Sequence, residues 1–380
     1  MTEKNIHIVW LAGDGIGPEV IHEAKKVASW FNENSHLNIS AEDGLLGGCA
    51  TNTFGQPYPD ETKVKVTKAD AVMLGAVGGP QWDNEPFQTR PEQGLLDIRK
   101  DMDLFANLRP TFTFDALKKS SSLKPDIVNG LNLMIVRELI GGIYFGEPRG
   151  ITVDNKGVKK GYNTASYTNV EAKRIATIAF EAAKASGKKV CSIDKANVLE
   201  ASIVWREAVQ ELRNSTYPEI ELSHMYVDNA AMQLATKPQQ FEIMLCPNLM
   251  GDILSDLGGA LTGSLGMLPS ASITDKNAVT GYTKGLYEPV HGSAPDIAGQ
   301  NIANPIATIL SFAMLLEYSL KEIDLAKNIK KAVEIVLNDG YRTADIMTKG
   351  QTQVTTSEMG DKIVLALSRL TTKTINSKDI

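Results

Sequence analysis

Short apolar runs and amphipathic helical stretches take turns along this chain, and that alternation confines it to an α/β architecture. Residues 6–11 form a compact apolar run. They lead through Gly13-Asp-Gly-Ile-Gly-Pro-Glu19 into Val20, Ile21, Ala24, Val27, Ala28 and Phe31 at helical spacing, which predicts a helix over 18–31 with Pro18 in its first turn. Further strands are predicted over 69–76, 104–108, 131–137, 188–193 and 241–246. Further helices are predicted over 94–102, 169–186, 196–212, 304–318 and 326–337, and from Asn248 onward. Residues 150–167 are polar and β-leaning, either an excursion or an arm that reaches a neighbour. The 380 residues are enough for a large core or two domains, but no repeat, low-complexity tract or linker marks a boundary.

Charge and cysteine content exclude some classes. The net charge of −6 argues against nucleic acid as a partner, so an anionic substrate has to meet a local basic cluster. Cys49, Cys191 and Cys246 are an odd, scattered set without a CxxC pair, which suits free thiols in a reducing compartment. No cleavable leader and no apolar run of membrane-spanning length is recognisable, so a cytoplasmic protein without membrane contact is expected.

Candidate chemistry concentrates in a few places. Within Asn248-Leu-Met-Gly-Asp-Ile-Leu-Ser-Asp256, Asp252 and Asp256 stand four residues apart and share one helix face. Like charges so placed destabilise a helix by roughly 0.2–0.5 kcal/mol, so a positive group is expected between them. An all-oxygen site favours Mg²⁺ or Mn²⁺; the alternative is a solvated acidic face. Arg99, Arg109 and Arg137 fall at predicted element ends, where a dicarboxylate clamp could form. Lys195 follows a strand and could act as a general base if burial and a nearby dication favour its neutral amine. Asp228, at a strand-to-helix junction, is a third metal acid or a helix cap. His291-Gly-Ser-Ala-Pro-Asp296 is a small-residue loop whose backbone can approach a ligand. Asp296 could accept both ribose hydroxyls and repel a 2′-phosphate, favouring NAD, or it could cap a helix. The glycine motif at 13–19 lacks the third glycine and the ribose acid of a dinucleotide fingerprint, so an ordinary tight turn competes with a phosphate site there.

Taken together, these segments resemble the β-decarboxylating dehydrogenases of the isocitrate/isopropylmalate dehydrogenase family. The resemblance extends through Gly75-Ala-Val-Gly-Gly-Pro-Gln-Trp82, Leu95-Leu-Asp-Ile-Arg99, Asn107-Leu-Arg-Pro110, Val136-Arg-Glu-Leu-Ile-Gly-Gly-Ile-Tyr-Phe-Gly146, Asp194-Lys-Ala-Asn-Val-Leu-Glu200 and Glu288-Pro-Val-His-Gly-Ser-Ala-Pro-Asp296. It implies a two-domain fold with a mixed central sheet that is not a Rossmann fold. Residues 1–104 and 266–380 would form a discontinuous NAD-binding domain. Residues 105–265 would form a substrate, metal and dimerisation domain, with a β-arm near 150–167.

The resemblance also implies roles. Tyr144 and Lys195 would be the catalytic pair, and Arg99, Arg109, Arg137 and Asp228 would contact the substrate. Asp228, Asp252 and Asp256 would hold one Mg²⁺ or Mn²⁺. NAD would lie on Ile16, Glu92, Asn197, His291, Gly292, Ser293, Ala294, Pro295, Asp296, Ile297 and Asn304. Lys195, Asn197, Val198 and Asp228 would enter from the second subunit of a homodimer with shared active sites. Leu95 and Leu96, with Val198 opposite, suit an isopropyl group, so the implied reaction is oxidative decarboxylation of 3-isopropylmalate in leucine biosynthesis. A D-malate/tartrate or isocitrate-type enzyme is the alternative within the class. A non-catalytic regulatory subunit is the alternative outside it, although the lysine, tyrosine and metal acids are all present.

Overall fold

The computed structural model describes residues 4–121, 123–276 and 283–376. The chain begins with β1 (Lys4–Gly13), α1 (Gly17–Asn34), β2 (Leu37–Gly44), α2 (Gly48–Phe54), α3 (Asp60–Lys68), β3 (Ala71–Ala76), α4 (Pro91–Asp101) and β4 (Ala106–Phe112). It continues with α5 (Pro125–Val128), β5 (Asn132–Glu138), β6 (Gly150–Val153), β7 (Lys159–Tyr162), α6 (Asn169–Ser186), β8 (Val190–Asp194), α7 (Glu200–Thr216), β9 (Leu222–Tyr226) and α8 (Val227–Thr236). The remainder is β10 (Ile243–Cys246), α9 (Asn248–Thr262), β11 (Pro269–Ile273), β12 (Gly285–Pro289), α10 (Ile306–Tyr318), α11 (Ile323–Asn338), β13 (Tyr341–Arg342), β14 (Thr352–Gln353) and α12 (Thr356–Asn376).

One mixed ten-stranded sheet runs β2-β1-β3-β12-β11-β4-β5-β10-β8-β9. Its two flanks are parallel, while β12, β11, β4 and β5 pair antiparallel in succession. This order is not that of a doubly wound dinucleotide-binding sheet. Both sheet faces are covered. Ile6, Ile8 and Trp10 of β1 enter one core with Phe31 and Phe312, while Val9 and Leu11 enter another with Val72, Leu74 and Leu286. A third core under α8 and α9 gathers Ile135, Ile193, Met244, Ala230, Leu234 and Leu254.

The structure alters two sequence expectations near the site. The strand predicted to end at 108 continues to Phe112 through Pro110. That is tolerated because β11 pairs β4 only over Ala106–Leu108, so a proline further on breaks no ladder bond to β11. Arg109 therefore sits within a strand rather than at its end. The helix predicted from Ala196 begins at Glu200, because Asp194 Oδ1 accepts the Ala196 N–H at 2.9 Å and turns the chain first. Residues 150–167 hold an antiparallel β6–β7 hairpin, all eight strand residues of which are exposed.

Candidate active site

A cleft of about 670 Å³ is lined by Glu92, Leu95, Leu96, Arg99, Arg109, Arg137, Tyr144, Asp252, His291 and Gly292, together with Val77, Phe87, Ile143, Arg149, Leu249 and Glu288. The three arginines are almost wholly buried, at 7%, 8% and 2% exposure. They do not converge from one carboxyl edge of the sheet, because β4 and β5 run in opposite directions. Arg137 instead stands opposite Asn107 in the antiparallel register, and Arg109 lies two residues along on the same face. Asn107 steadies Arg109 through its Oδ1, which accepts from Nε at 2.8 Å, while its Nδ2 donates to Ser270 and Ser272. Arg99, in the last turn of α4, donates to Glu288 at 2.8 Å.

Helix α9 lies against β4 and β5 because Gly251 and Gly258 present no side chain. A Cβ on Gly251 would press on the Arg137 side chain, and one on Gly258 would press on Thr111. The helix thereby delivers its acids to the guanidiniums. Arg137 Nη1 donates to Asp252 Oδ1, and Arg109 Nη1 lies 3.6 Å from Asp252 and 3.5 Å from Asp256. The positive charge expected between the two acids is thus present within the chain as Arg109. The solvated-face alternative holds only for the outer acid, since Asp256 is much the more exposed. Burial opposes ionisation of Asp252, yet Arg137 and Arg109 hold its carboxyl below the usual range. Asp256 is raised, by burial and by the Asp252 charge. Burial, with Arg109 beside it, pushes Arg137 down to about 10. Tyr144 donates to Asp252 Oδ2 at 2.9 Å, and burial with that carboxylate pushes its phenol up to about 12.

Lys195, Asn197, Val198 and Asp228 do not line this cleft. Lys195 ion-pairs with Asp228 at the far end of the sheet, where β8 meets β9, and this bond first of all lowers the Asp228 carboxyl. Asn197 is exposed in the turn before α7, and Val198 is 64% exposed. Among the described residues of one chain, no three acids, histidines or cysteines meet as a metal-binding set. Asp252 and Asp256 nevertheless present carboxylate oxygens from adjacent turns of one helix, a donor set that fits a hard cation once a further acid is supplied.

The glycine motif and the His291 loop are one unit. The Ile16 N–H donates to the Ser293 carbonyl at 2.8 Å, and Glu19 accepts the Gly299 and Asn301 amides. Gly15 has φ +57°, and a Cβ there would overlap the Ser293 carbonyl, so only glycine lets the two loops touch. Ile16 packs with Ala294 and Ile297, leaving Gly292, Pro295 and Asp296 exposed. Asp296 does not cap a helix, since α10 begins ten residues later. Asn304, just ahead of the α10 N-cap Pro305, accepts the Ile306 N–H through Oδ1 and donates through Nδ2 to Asp345, so its amide is engaged within the fold. Among the described residues the buried His291 Nε2 has no partner, and burial lowers the pKa of this histidine. An orphan nitrogen beside open space at Gly292 and an exposed acid fits a nucleotide.

The motif at 13–19 contains Asp14 but gave no hint of its role: it accepts the Gly48, Cys49 and Gly78 amides at 2.8 Å and ties the β1 turn to a cleft wall. Arg149 and Phe87 were also missed: no motif holds them, and only the fold brings them to the cleft. Glu288 heads the Glu288–Asp296 segment, but no role for it was legible there; in the fold it lines the cleft and accepts from Arg99.

A non-Rossmann α/β fold with buried arginines, paired acids and a small-residue loop at one cleft defines an enzyme for small carboxylate substrates. A family profile described as isocitrate/isopropylmalate dehydrogenase matches residues 7–363, and the chain belongs to that family. The chain is 56% identical over 361 residues to a 3-isopropylmalate dehydrogenase of Acinetobacter baylyi, covering 95% of this chain and 99% of the relative. It is 54% identical over 364 residues to one of Pelagibacter ubique, covering 96% and 99%. Among solved structures, an isocitrate dehydrogenase of Methylococcus capsulatus superposes with a TM-score of 0.83 at 32% identity, covering 95% and 99%. A β-decarboxylating dehydrogenase of Thermococcus kodakarensis gives 0.75 at 33%, covering 97% of each chain.

Proposed function

We propose that this chain oxidises (2R,3S)-3-isopropylmalate with NAD⁺ and a divalent metal, yielding 4-methyl-2-oxopentanoate and CO₂ in leucine biosynthesis. The observation that carries the reading is one cleft holding Leu95 and Leu96 beside Arg99, Arg109 and Arg137. The leucines suit an isopropyl group, and the guanidiniums suit two carboxylates. Relatives at 53–56% identity that bear the name 3-isopropylmalate dehydrogenase point the same way.

Asp252 and Asp256, with Asp228 of the partner subunit, would hold Mg²⁺ or Mn²⁺. NAD would lie on the unit formed by Ile16 and residues 291–297, with Glu92 toward the nicotinamide and Asn197 of the partner subunit completing the cofactor site. When bound, the metal would supply Lewis acidity toward the substrate hydroxyl, and NAD⁺ would supply the acceptor for the hydride lost from C2. The arginines orient both carboxylates, and Lys195 of the partner subunit takes the C2 hydroxyl proton. Loss of the C3 carboxylate as CO₂ leaves C3 in need of a proton, which Tyr144 delivers; its phenol, raised to about 12, is protonated at neutral pH.

The sheet order supports the two-domain division. β2, β1, β3, β12 and β11 fall within 1–104 and 266–380, and β4, β5, β10, β8 and β9 fall within 105–265. A homodimer completes the site, because Lys195 and Asp228 lie away from the chain's own cleft.

The test is NADH formation by purified protein with Mg²⁺, comparing 3-isopropylmalate, D-malate and isocitrate, each with NAD⁺ and NADP⁺. The expected preference is 3-isopropylmalate with NAD⁺. Faster turnover of isocitrate or D-malate, or preference for NADP⁺, overturns the substrate or cofactor assignment.

A further inference from the structure

Arg137 sends three of its donors to the protein. Nε and Nη2 both reach Asn248 Oδ1, at 3.1 and 2.8 Å, and only Nη1 is turned toward Asp252 and the cleft. Asn248 is wholly buried, and every polar atom of its side chain is assigned. Its oxygen can meet only the guanidinium donors, and its Nδ2 donates to the Leu139 and Gly141 carbonyls, each at 3.0 Å. The amide therefore has a single orientation. Its backbone N–H, the first of α9, donates to the Tyr167 hydroxyl at 2.8 Å. That hydroxyl donates in turn to Glu138 Oε2 at 3.0 Å, and Glu138 also accepts the Ile140 and Gly141 amides. Glycine makes the room: a Cβ on Gly142, at φ +69°, would overlap the Tyr167 hydroxyl.

This buried node joins β5, the turn leading to Tyr144, and the start of the helix bearing Asp252 and Asp256. We infer that Asn248, pinned by Tyr167 and Glu138, is the positioning residue that aims Arg137 at the substrate carboxylate, so that substrate recognition extends one layer behind the cleft. A neutral amide suits the task. It satisfies Arg137 without cancelling the charge on which an anionic ligand depends, whereas a carboxylate at 248 would neutralise that charge and face two carbonyls. The inference rests on the proposed role of Arg137 in binding 3-isopropylmalate.

The test compares wild type, Asn248→Asp, Arg137→Lys and the double variant by steady-state kinetics with 3-isopropylmalate and NAD⁺. Asn248→Asp is expected to raise KM for 3-isopropylmalate at least tenfold while KM for NAD⁺ stays within about twofold. In the Arg137→Lys background the same change is expected to add less than threefold, because Asn248 acts through that guanidinium. Should Asn248→Asp not fold, Tyr167→Phe keeps the ring on Trp205 and frees the Asn248 backbone N–H, with at least a threefold rise in the same KM expected. Equal rises in both KM values, additivity in the double variant, or an unmoved KM for 3-isopropylmalate overturns the inference. Absence of wild-type turnover on 3-isopropylmalate sinks the functional reading and the inference with it, whereas active wild type with unmoved variants sinks the inference alone.

Discussion

At the scale of single residues, the site is a set of charges whose ionisation is decided by their neighbours. Tyr144 donates to Asp252 and keeps its proton at neutral pH, which suits it to delivering that proton to C3. Tyr144→Phe is expected to slow the full reaction by about two to four orders of magnitude, the span of general acid catalysis. Reduction of the 2-keto intermediate by NADH should suffer less; an equal loss in both assays assigns Tyr144 to the wrong step. Glu138 makes a prediction about stability. Burial pushes its carboxyl up to about 7, outweighing its three donors. The folded state therefore holds a proton that the unfolded state has released between the ordinary glutamate range and pH 7, and stability falls as pH rises through that window. Urea unfolding at pH 5 and pH 7.5 should show a steeper fall for wild type than for Glu138→Gln. Parallel behaviour of the two proteins removes the assigned cause.

At the scale of elements, legibility followed locality. Residues 169–186 are helical as predicted, because both ends are written nearby: a Thr168–Glu171 capping box opens α6 and Gly187, in the left-handed region, closes it. α1 was legible from its apolar period. β11 was not: its Pro-Ser-Ala-Ser-Ile sequence resembles a loop, and its serines are buried because Asn107, distant in sequence, donates to both. The site divides in the same way. Arg99, Arg109, Arg137 and Asp252 were legible as candidates, but how they converge depends on an antiparallel register that sequence spacing does not encode. Asp14 and Asn248 were not legible as parts of the site, since their partners are backbone groups or a side chain far along the chain. The contact between the β1 turn and the His291 loop yields a prediction at this scale. Gly15→Ala forces a left-handed alanine, costing roughly 1–2 kcal/mol, and pushes against Ser293. It should raise KM for NAD⁺ about tenfold while leaving KM for the hydroxy acid within threefold. Equal changes would separate that loop from cofactor binding.

At the scale of the whole molecule, the cleft of one chain holds Tyr144 while Lys195 lies elsewhere, toward the β9 end of the sheet. Nearby, α7, α8 and α9 expose Ile203, Val204, Met232, Leu249 and Ile253, an apolar set suited to cover by a second copy. If each site takes Lys195 from the other chain, two inactive variants can repair one another. Lys195→Met and Tyr144→Phe, unfolded together and refolded as a mixture, should regain about a quarter of wild-type activity, since half the dimers are mixed and each mixed dimer has one intact site. A mixture as inactive as its parts places both residues in one chain's site. The ladder of ten strands carries a consequence of another kind. Hydrogen bonding runs unbroken through all ten described strands of the sheet, from one half of the molecule into the other, so neither half can lose its strands without stripping its neighbour's edge. A scanning calorimeter should register one heat-absorption peak, with both halves melting at a shared temperature.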